Sequence, residues 1–277
     1  MITGKTRVIA HLGCPTEAFK APMIYNPWFE RQGIDAVVVP MGVRPDDYPA
    51  TLAALARITN LHGALVTMPH KVTTLALVDE ATPTARIAGA CNALLRRADG
   101  RWLGDQFDGA GFVRGVLRKQ RRVAGARVFI AGSGGVGSAI AASFAAAGVA
   151  ALDLFDANAP SAEALRGRLL EHHPSLAVRT GIGDPAGHEI VVNATPLGMA
   201  AGDPLPFDVA RVDAGALVGE VVMTAEHTPL LRAAQARGLE VQVGTDMLFE
   251  MIPAYLEFFG FGSATPDALR AVAQIRY

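Results

Sequence analysis

Residues 126–148 read ARVFIAGSGGVGSAIAASFAAAG: a strand-like run, a glycine-rich turn and then an alanine-rich helix. The turn fits the pattern G-x-G-x-x-G, and a second strand-like run, residues 151–156, follows and ends in Asp156. Glycines let the backbone approach a pyrophosphate closely, and the helix N-terminus supplies unpaired N–H groups. In this setting the pattern predicts a dinucleotide-binding fold, whereas alone it would indicate only a closely packed turn.

The residues predicted to bind the dinucleotide at this turn are Gly132, Gly134, Gly135, Val136, Gly137 and Asp156. An acid at the end of the second strand can accept both ribose hydroxyls, and it repels a 2′-phosphate. Because Ala157 and Asn158 supply no arginine at that turn, NAD is the preferred cofactor and NADP the second choice. The alternative is that Asp156 caps the following helix and faces water.

Strand-like and helical runs alternate on both sides of this turn. Strands are predicted at residues 6–10, 36–40, 63–67, 189–196, 216–222 and 239–244, and helices at 22–31, 49–58, 71–81, 161–172, 229–237 and 247–259. Two further strand-like runs, 91–97 and 101–106, flank Asp99 and Gly100, which is a strong hairpin signal. This rhythm predicts an α/β protein in which an N-terminal α/β domain precedes a Rossmann-type, doubly wound dinucleotide-binding domain.

The composition favours a small-molecule ligand. The 277 residues are 51% hydrophobic and carry a formal net charge of −1, which suits two domains and gives no field that would attract nucleic acid or a membrane surface. No window offers about 20 uncharged apolar residues, and the N-terminal apolar run is too short for a secretory signal, so a cytoplasmic location is expected. Cys14 and Cys91 lack metal-ligand spacing, and no metal is expected.

A lysine and an aspartate stand where an α/β fold places its chemistry. Lys71 follows one strand-like run in VTMPHK, and Asp108 follows another in GDQFDG. Either residue alone is most often an inert, solvated loop side chain. Their occurrence together with the segment ACNAL, residues 90–94, makes a catalytic pair the better interpretation.

With these motifs the sequence resembles the shikimate dehydrogenase family over nearly its whole length. The matching motifs are Gly13-x-Pro15 with Pro22 and Asn26, V-T-x-P-x-K ending at Lys71, Gly89-Ala90-x-Asn92, Gly104-Asp105 with Asp108-Gly109, the glycine turn, Asn193-Ala194-Thr195-Pro196 with Gly198-Met199, and Met247-Leu248. The resemblance implies a substrate-binding and catalytic domain at residues 1–110, to which C-terminal helices at 245–277 return, and a dinucleotide-binding domain at 111–244. It leaves a homodimer or a monomer open.

The resemblance also implies roles for individual residues. Lys71 and Asp108 would be the catalytic pair, and Thr67 and Asn92 would hold ring hydroxyls. The nicotinamide pocket would be lined by Asn193, Ala194, Thr195, Met199, Met223 and Gly244. The implied activity is that of an NAD(P)-dependent, shikimate 3-dehydrogenase-like alcohol dehydrogenase of aromatic amino acid biosynthesis, in which a lysine coupled to an aspartate exchanges the hydroxyl proton.

Five positions depart from the family pattern, most of them at the end that recognises substrate. Two serines that bind the substrate carboxylate are replaced by Phe19 and Ala21. An asparagine is replaced by Leu65, a tyrosine by Met223 and a glutamine by Met251. We therefore expect altered specificity for a cyclic hydroxy compound, unless Lys20 or Tyr25 rebuilds an acid site.

Two other functions fit the same motifs less well. A non-catalytic sensor of a nicotinamide and a metabolite could use this fold, but it would need neither Lys71 nor Asp108. A folate-dehydrogenase-like enzyme also pairs a lysine with a dinucleotide domain, but the hairpin and the motif at 104–109 disfavour it. The adjacent His172 and His173 point about 100° apart on a helix and do not predict a metal site.

Overall fold

The structure of the protein is a computed structural model that describes residues 2–276. The chain divides into two compact units, one formed by residues up to 107 together with 251–276, and one by residues 108–250. No helix within residues 2–276 is long and apolar enough to cross a membrane.

The first unit is built on a six-stranded mixed sheet. Its elements are β1 (Arg7–Gly13), α1 (Pro22–Gln32), β2 (Ala36–Gly42), α2 (Tyr48–Leu55), β3 (Leu61–Val66), α3 (Lys71–Leu77), β4 (Glu80–Ala81), α4 (Pro83–Ala88), β5 (Ala93–Arg96) and β6 (Trp102–Asp105). The strand order is β2-β1-β3-β5-β6-β4. The strands β1, β2 and β3 are parallel, and β5 and β6 form the predicted antiparallel hairpin.

The second unit is a doubly wound parallel sheet. Its elements are α5 (Asp108–Arg118), β7 (Arg127–Ala131), α6 (Gly135–Ala146), β8 (Ala151–Phe155), α7 (Ala159–His172), β9 (Ala177–Thr180), β10 (Ile190–Asn193), β11 (Leu217–Glu220), α8 (Pro229–Ala236), β12 (Glu240–Gln242) and α9 (Gly244–Phe258), whose residues from 251 belong to the first unit. The strand order is β12-β11-β10-β7-β8-β9, and α10 (Pro266–Arg270) closes the chain. The predicted α/β class with a Rossmann-type domain is confirmed.

The helix predicted at 71–81 is shorter than expected. It ends at Leu77 because Val78 is extended, and Glu80 and Ala81 pair in parallel with β6. The prediction missed α4, whose start carries a clear signal, since Thr82 accepts a hydrogen bond from the Ala85 N–H and a proline occupies the first turn. It also missed β9 and α10.

The two faces of the first sheet carry different side chains. Ala10 and Leu12 of β1 belong to an apolar cluster that also contains Ala64 and Val66 of β3. Since side chains alternate along a strand, His11 and Leu65 point to the opposite face. A Cβ at Gly63, on that same face, would lie 2.5 Å from the Phe259 ring, so the C-terminal end of α9 packs there.

A basic run before β7, which consists of Arg118, Lys119, Arg121 and Arg122, is largely paired with acids of its own unit. Arg118 lies 3.6 Å from Glu250, and Lys119 lies 3.1 Å from Asp246, measured between charged atoms. Arg121 lies 3.4 Å from Glu240, so three of the four charges have an acid within ion-pair distance.

Candidate active site

The glycine turn forms a cradle at the carboxyl end of β7. Gly132 has a φ of +100°, and a Cβ there would lie 2.7 Å from the backbone of Ala194, so only glycine fits. A Cβ at Gly137 would overlap the Gly132 carbonyl oxygen. Gly134 faces open space, and no side chain caps the 12-residue helix α6 behind it. The uncapped backbone N–H groups at the start of α6 and the open space beside Gly134 fit a pyrophosphate.

Asp156 is tied to the cradle by both of its carboxylate oxygens. Ser133 N donates to one oxygen at 2.6 Å, and Asn158 N donates to the other at 2.8 Å. Asn158, not Asp156, occupies the cap position of α7. The alternative that Asp156 caps that helix is therefore wrong, and the carboxylate is fixed beside the turn.

The residues predicted to line the nicotinamide pocket gather at the carboxyl ends of β10 and β11. The fully buried Asn193 accepts hydrogen bonds from both the N–H and the hydroxyl of Thr195, which shapes the turn after β10. A Cβ at Gly244 would strike the Val222 carbonyl and lie 2.9 Å from Met223, so those predicted residues pack together. Met199 is half-buried in the loop that follows.

Sequence reasoning missed a buried carboxylic acid in this part of the second unit. Glu220 is fully buried at the end of β11, where it pairs in register with Asn193, and its Oε1 has no hydrogen-bond partner. Burial raises the pKa of Glu220 to about 7. The signal in the sequence was an acid inside the apolar run 216–222.

The backbone of Lys71 is positioned by contacts of the chain around it. It is the first residue of α3, and its carbonyl accepts from the Cys91 N–H at 2.9 Å. The preceding His70 is buried, stacks on Tyr48 with ring centroids 4.0 Å apart, and bonds the Val43 carbonyl at 2.8 Å. This anchor fixes the start of α3 and with it the backbone of Lys71.

Asp108 begins the second unit as the first residue of α5 and is buried. A carboxylate in the first turn is favoured by the positive end of the helix dipole. The next residue, Gly109, allows α5 to approach α6 closely, because a Cβ there would overlap the Ala139 carbonyl and the Ser143 hydroxyl. That close contact fixes the backbone from which Asp108 projects.

Thr67 and Asn92 lie beside the strand ends of the first unit. The Thr67 N–H donates to the Leu12 carbonyl at 2.8 Å. Asn92 is buried, and its Oδ1 accepts from the Phe107 N–H at 3.0 Å, while its carbonyl accepts from the Tyr255 hydroxyl at 3.0 Å. Its Nδ2 is buried without a hydrogen-bond partner. A buried amide with an open donor suits a ligand hydroxyl.

Four of the substituted positions lie in the first unit, and each of them holds an apolar side chain. Phe19 is half-buried and stacks on His11, with ring centroids 4.0 Å apart. Ala21 is buried at the start of α1, Leu65 is buried in β3, and Met251 is buried in α9 one turn before Tyr255. Sequence reasoning did not single out His11.

Both residues considered as replacement acid-binding groups are buried. The Lys20 ammonium is buried and donates to the carbonyl of Arg276. Tyr25 is buried against Phe29 and Tyr255, and burial raises its pKa. In the described range 2–276, no three His, Cys, Asp or Glu side chains are arranged to hold a metal.

Comparisons with known proteins identify the family of the chain. Residues 12–94 match the family model of the shikimate dehydrogenase substrate binding domain. The chain is 37% identical to a shikimate dehydrogenase (NADP(+)) of Acidiphilium cryptum, and the match covers 99% of this chain and 98% of that one.

Solved structures with the same fold include a quinate dehydrogenase from Corynebacterium glutamicum in complex with NAD. It is 28% identical, covers 96% of this chain and 98% of its own, and superposes with a TM-score of 0.84. A 5-ketofructose reductase of Gluconobacter sp. strain CHM43 is 22% identical over 98% of each chain, with a TM-score of 0.83. The glycine cradle, the strand-end lysine and the full-length identity together establish that this chain belongs to the shikimate dehydrogenase family of oxidoreductases.

Proposed function

We propose that this chain is an NAD-preferring dehydrogenase that interconverts a secondary alcohol and a ketone on a cyclic hydroxy compound, with Lys71 and Asp108 as its catalytic pair. The reacting carbon is proposed to be the one that the resemblance implies, carbon 3 of a shikimate-like ring. A cytoplasmic location, expected from the composition, completes the proposal, and the resemblance leaves a homodimer or a monomer open.

The proposal rests on one observation: the residues expected to act on the reacting carbon are present, whereas those expected to bind the substrate carboxylate are replaced. Lys71 stands at an anchored helix start, and Asn92 keeps a buried, unused donor. The positions of the two carboxylate-binding serines hold Phe19 and Ala21, neither of which can donate a hydrogen bond from its side chain. A sensor would have no need of a preserved lysine and aspartate.

In the proposed reaction, the protein side chains transfer one proton to or from the substrate oxygen. The nicotinamide ring, when bound, accepts or supplies the hydride at carbon. Lys71 removes the hydroxyl proton as the alcohol is oxidised, and in the reverse direction its ammonium polarises the ketone and protonates the developing alkoxide. Asp108 balances the lysine charge, and Thr67 and Asn92 orient the ring through its other hydroxyls.

Specificity for shikimate or quinate is expected to be poor. Each hydrogen bond to a charged group contributes about 1.5–3 kcal/mol, so losing two serine contacts removes roughly 3–6 kcal/mol. That loss corresponds to about 100-fold to more than 10,000-fold in affinity. The fold itself leaves the substrate open, since a quinate dehydrogenase and a 5-ketofructose reductase both use it.

The test is turnover followed at 340 nm with NAD or NADP against shikimate, quinate and a panel of cyclic alcohols. Lys71→Ala is compared with Lys5→Ala, which removes the same charge from an exposed position. Turnover that is lost only in Lys71→Ala supports the proposal. Efficient turnover of shikimate contradicts the altered specificity, and tight NAD binding without any turnover favours a sensor.

A further inference from the structure

An imidazole lies on the strand face where this chain has lost a polar side chain. His11 is in β1, and its direct register partner in β3 is Leu65, the position where the family resemblance leads us to expect an asparagine. Both side chains point to the face opposite the apolar cluster of Ala10 and Leu12. The polar function missing from β3 is therefore present one strand away, at the same level of the sheet.

The neighbours of His11 place it at the substrate end of the first unit. Phe19, at the position of a carboxylate-binding serine, stacks on the imidazole. A Cβ at Gly13, two residues further along the strand, would collide with the Thr67 methyl group and lie 2.8 Å from the Phe19 ring. Phe19, Thr67 and His11 thus surround one patch at the ends of β1 and β3.

His11 has hydrogen-bonding capacity that the protein does not use. Its Nδ1 is buried and has no partner, as is the Nδ2 of Asn92 in the same unit. Buried polar atoms are satisfied in most proteins, and an orphan commonly marks a place that a ligand or water completes. Among such atoms of this unit, these two lie beside β3, since His11 pairs with Leu65 and the Asn92 carbonyl accepts from the Val66 N–H, and together they indicate a ligand with more than one hydroxyl or keto oxygen.

The imidazole is uncharged in this setting. Burial, together with the positive charge of Lys71, lowers the pKa of His11 to about 3. The effect of Lys71 also means that His11 lies within electrostatic range of the proposed catalytic lysine. A neutral imidazole can donate to or accept from a hydroxyl, but it gives no cation to hold a carboxylate.

We propose that His11 is a specificity-determining residue, whose Nδ1 hydrogen-bonds a hydroxyl or keto oxygen of an uncharged, polyhydroxylated substrate beside Phe19. This inference rests on the proposed function for the location of the reacting end. It goes further by naming the charge of the substrate and the residue that recognises it.

The experiment compares binding of shikimate with binding of its methyl ester, which has the same ring and no charge. Dissociation constants are measured by calorimetry on the full chain saturated with NAD. His11→Phe keeps a ring to stack on Phe19 but has no nitrogen, whereas His11→Asn carries a polar atom at the position of Nδ1. Thermal unfolding of both variants confirms that they fold.

The wild-type chain is expected to bind the methyl ester at least about tenfold more tightly than shikimate. His11→Phe is expected to weaken ester binding about threefold to tenfold, the effect of one hydrogen bond between neutral groups, and His11→Asn to restore it to within about threefold. Equal or tighter binding of shikimate overturns the proposal, as does an unchanged affinity in His11→Phe or failure of the ester to bind.

Turnover separates this inference from the proposed function. The expected binding pattern without Lys71-dependent oxidation of the ester would refute the dehydrogenase and leave the role of His11 standing. Lys71-dependent oxidation of shikimate as fast as that of the ester would support the dehydrogenase and refute the proposed role of His11.

Discussion

Replacing Asp156 by asparagine is expected to shift cofactor preference towards NADPH. The carboxylate is held between two backbone N–H groups, Ser133 at 2.6 Å and Asn158 at 2.8 Å, and so cannot swing away from the ribose that binds beside the turn. A 2′-phosphate would meet a fixed negative charge there.

The size of the effect follows from Coulomb's law. Two unit charges about 4 Å apart repel by about 1 kcal/mol in water and about 4 kcal/mol near a protein surface of lower effective dielectric constant. Because Asp156 is only half-buried, we expect the lower part of this range, about 1–2.5 kcal/mol. The affinity for NADPH relative to NADH should therefore rise about 5-fold to 70-fold.

Fluorescence titration of each reduced cofactor gives the two dissociation constants. The matched control is Asp208→Asn, which removes one negative charge from a residue that also accepts from a backbone N–H, that of Ala210 at 2.9 Å. The control should leave the ratio of the two constants unchanged.

A wild-type chain that binds NADPH as tightly as NADH would refute this reasoning. So would a ratio that Asp156→Asn leaves within about twofold. A fall in both affinities at an unchanged ratio would mean that the carboxylate serves to shape the glycine turn and does not select the cofactor.

Two further predictions concern buried acids of the second unit. Asp153→Ala leaves the buried His188 without the carboxylate 2.9 Å from its Nε2 and should lower the free energy of unfolding by about 1–3 kcal/mol in urea denaturation, whereas Asp184→Ala, at an exposed ion pair, should lower it far less. Equal losses of stability in the two variants would contradict this prediction. Because the pKa of Glu220 is raised to about 7, the folded chain holds its proton more tightly between about pH 4.5 and 7, and stability falls as the pH rises across that range. Glu220→Gln should remove this fall, which amounts to up to about 3 kcal/mol in the free energy of unfolding by urea between pH 5 and pH 8. If the pH dependence is unchanged in the variant, Glu220 is not its source.

The elements that the sequence predicted well are those with local signals. The glycine turn, the hairpin around Asp99 and Gly100, and the alternating strands and helices each follow from backbone requirements within a few residues. The end of α3 at Leu77 did not follow from periodicity, because Glu80 and Ala81 pair with β6, which lies more than twenty residues further along the chain. Pairing at that distance leaves no mark in a local pattern.

The site residues divide in the same way. Lys71, Asp108 and Asn92 belong to motifs, and the sequence could therefore single them out as candidates. His11 and Glu220 sit within apolar runs, and their surroundings depend on which strand is adjacent and which ring packs above. The stack of Phe19 on His11 joins two residues eight positions apart across a loop, and no periodic pattern predicts it.

The anchoring of His70 has a consequence for how such enzymes diverge. Its partners, Tyr48 and Val43, belong to the cluster on one face of the first sheet, whereas His11, Leu65 and Phe19 lie on the other. Substitutions on the face of His11 therefore leave unchanged the contacts of His70 that position the backbone of Lys71. The side chains proposed to choose the substrate could therefore change in a lineage without disturbing the packing that anchors the start of α3.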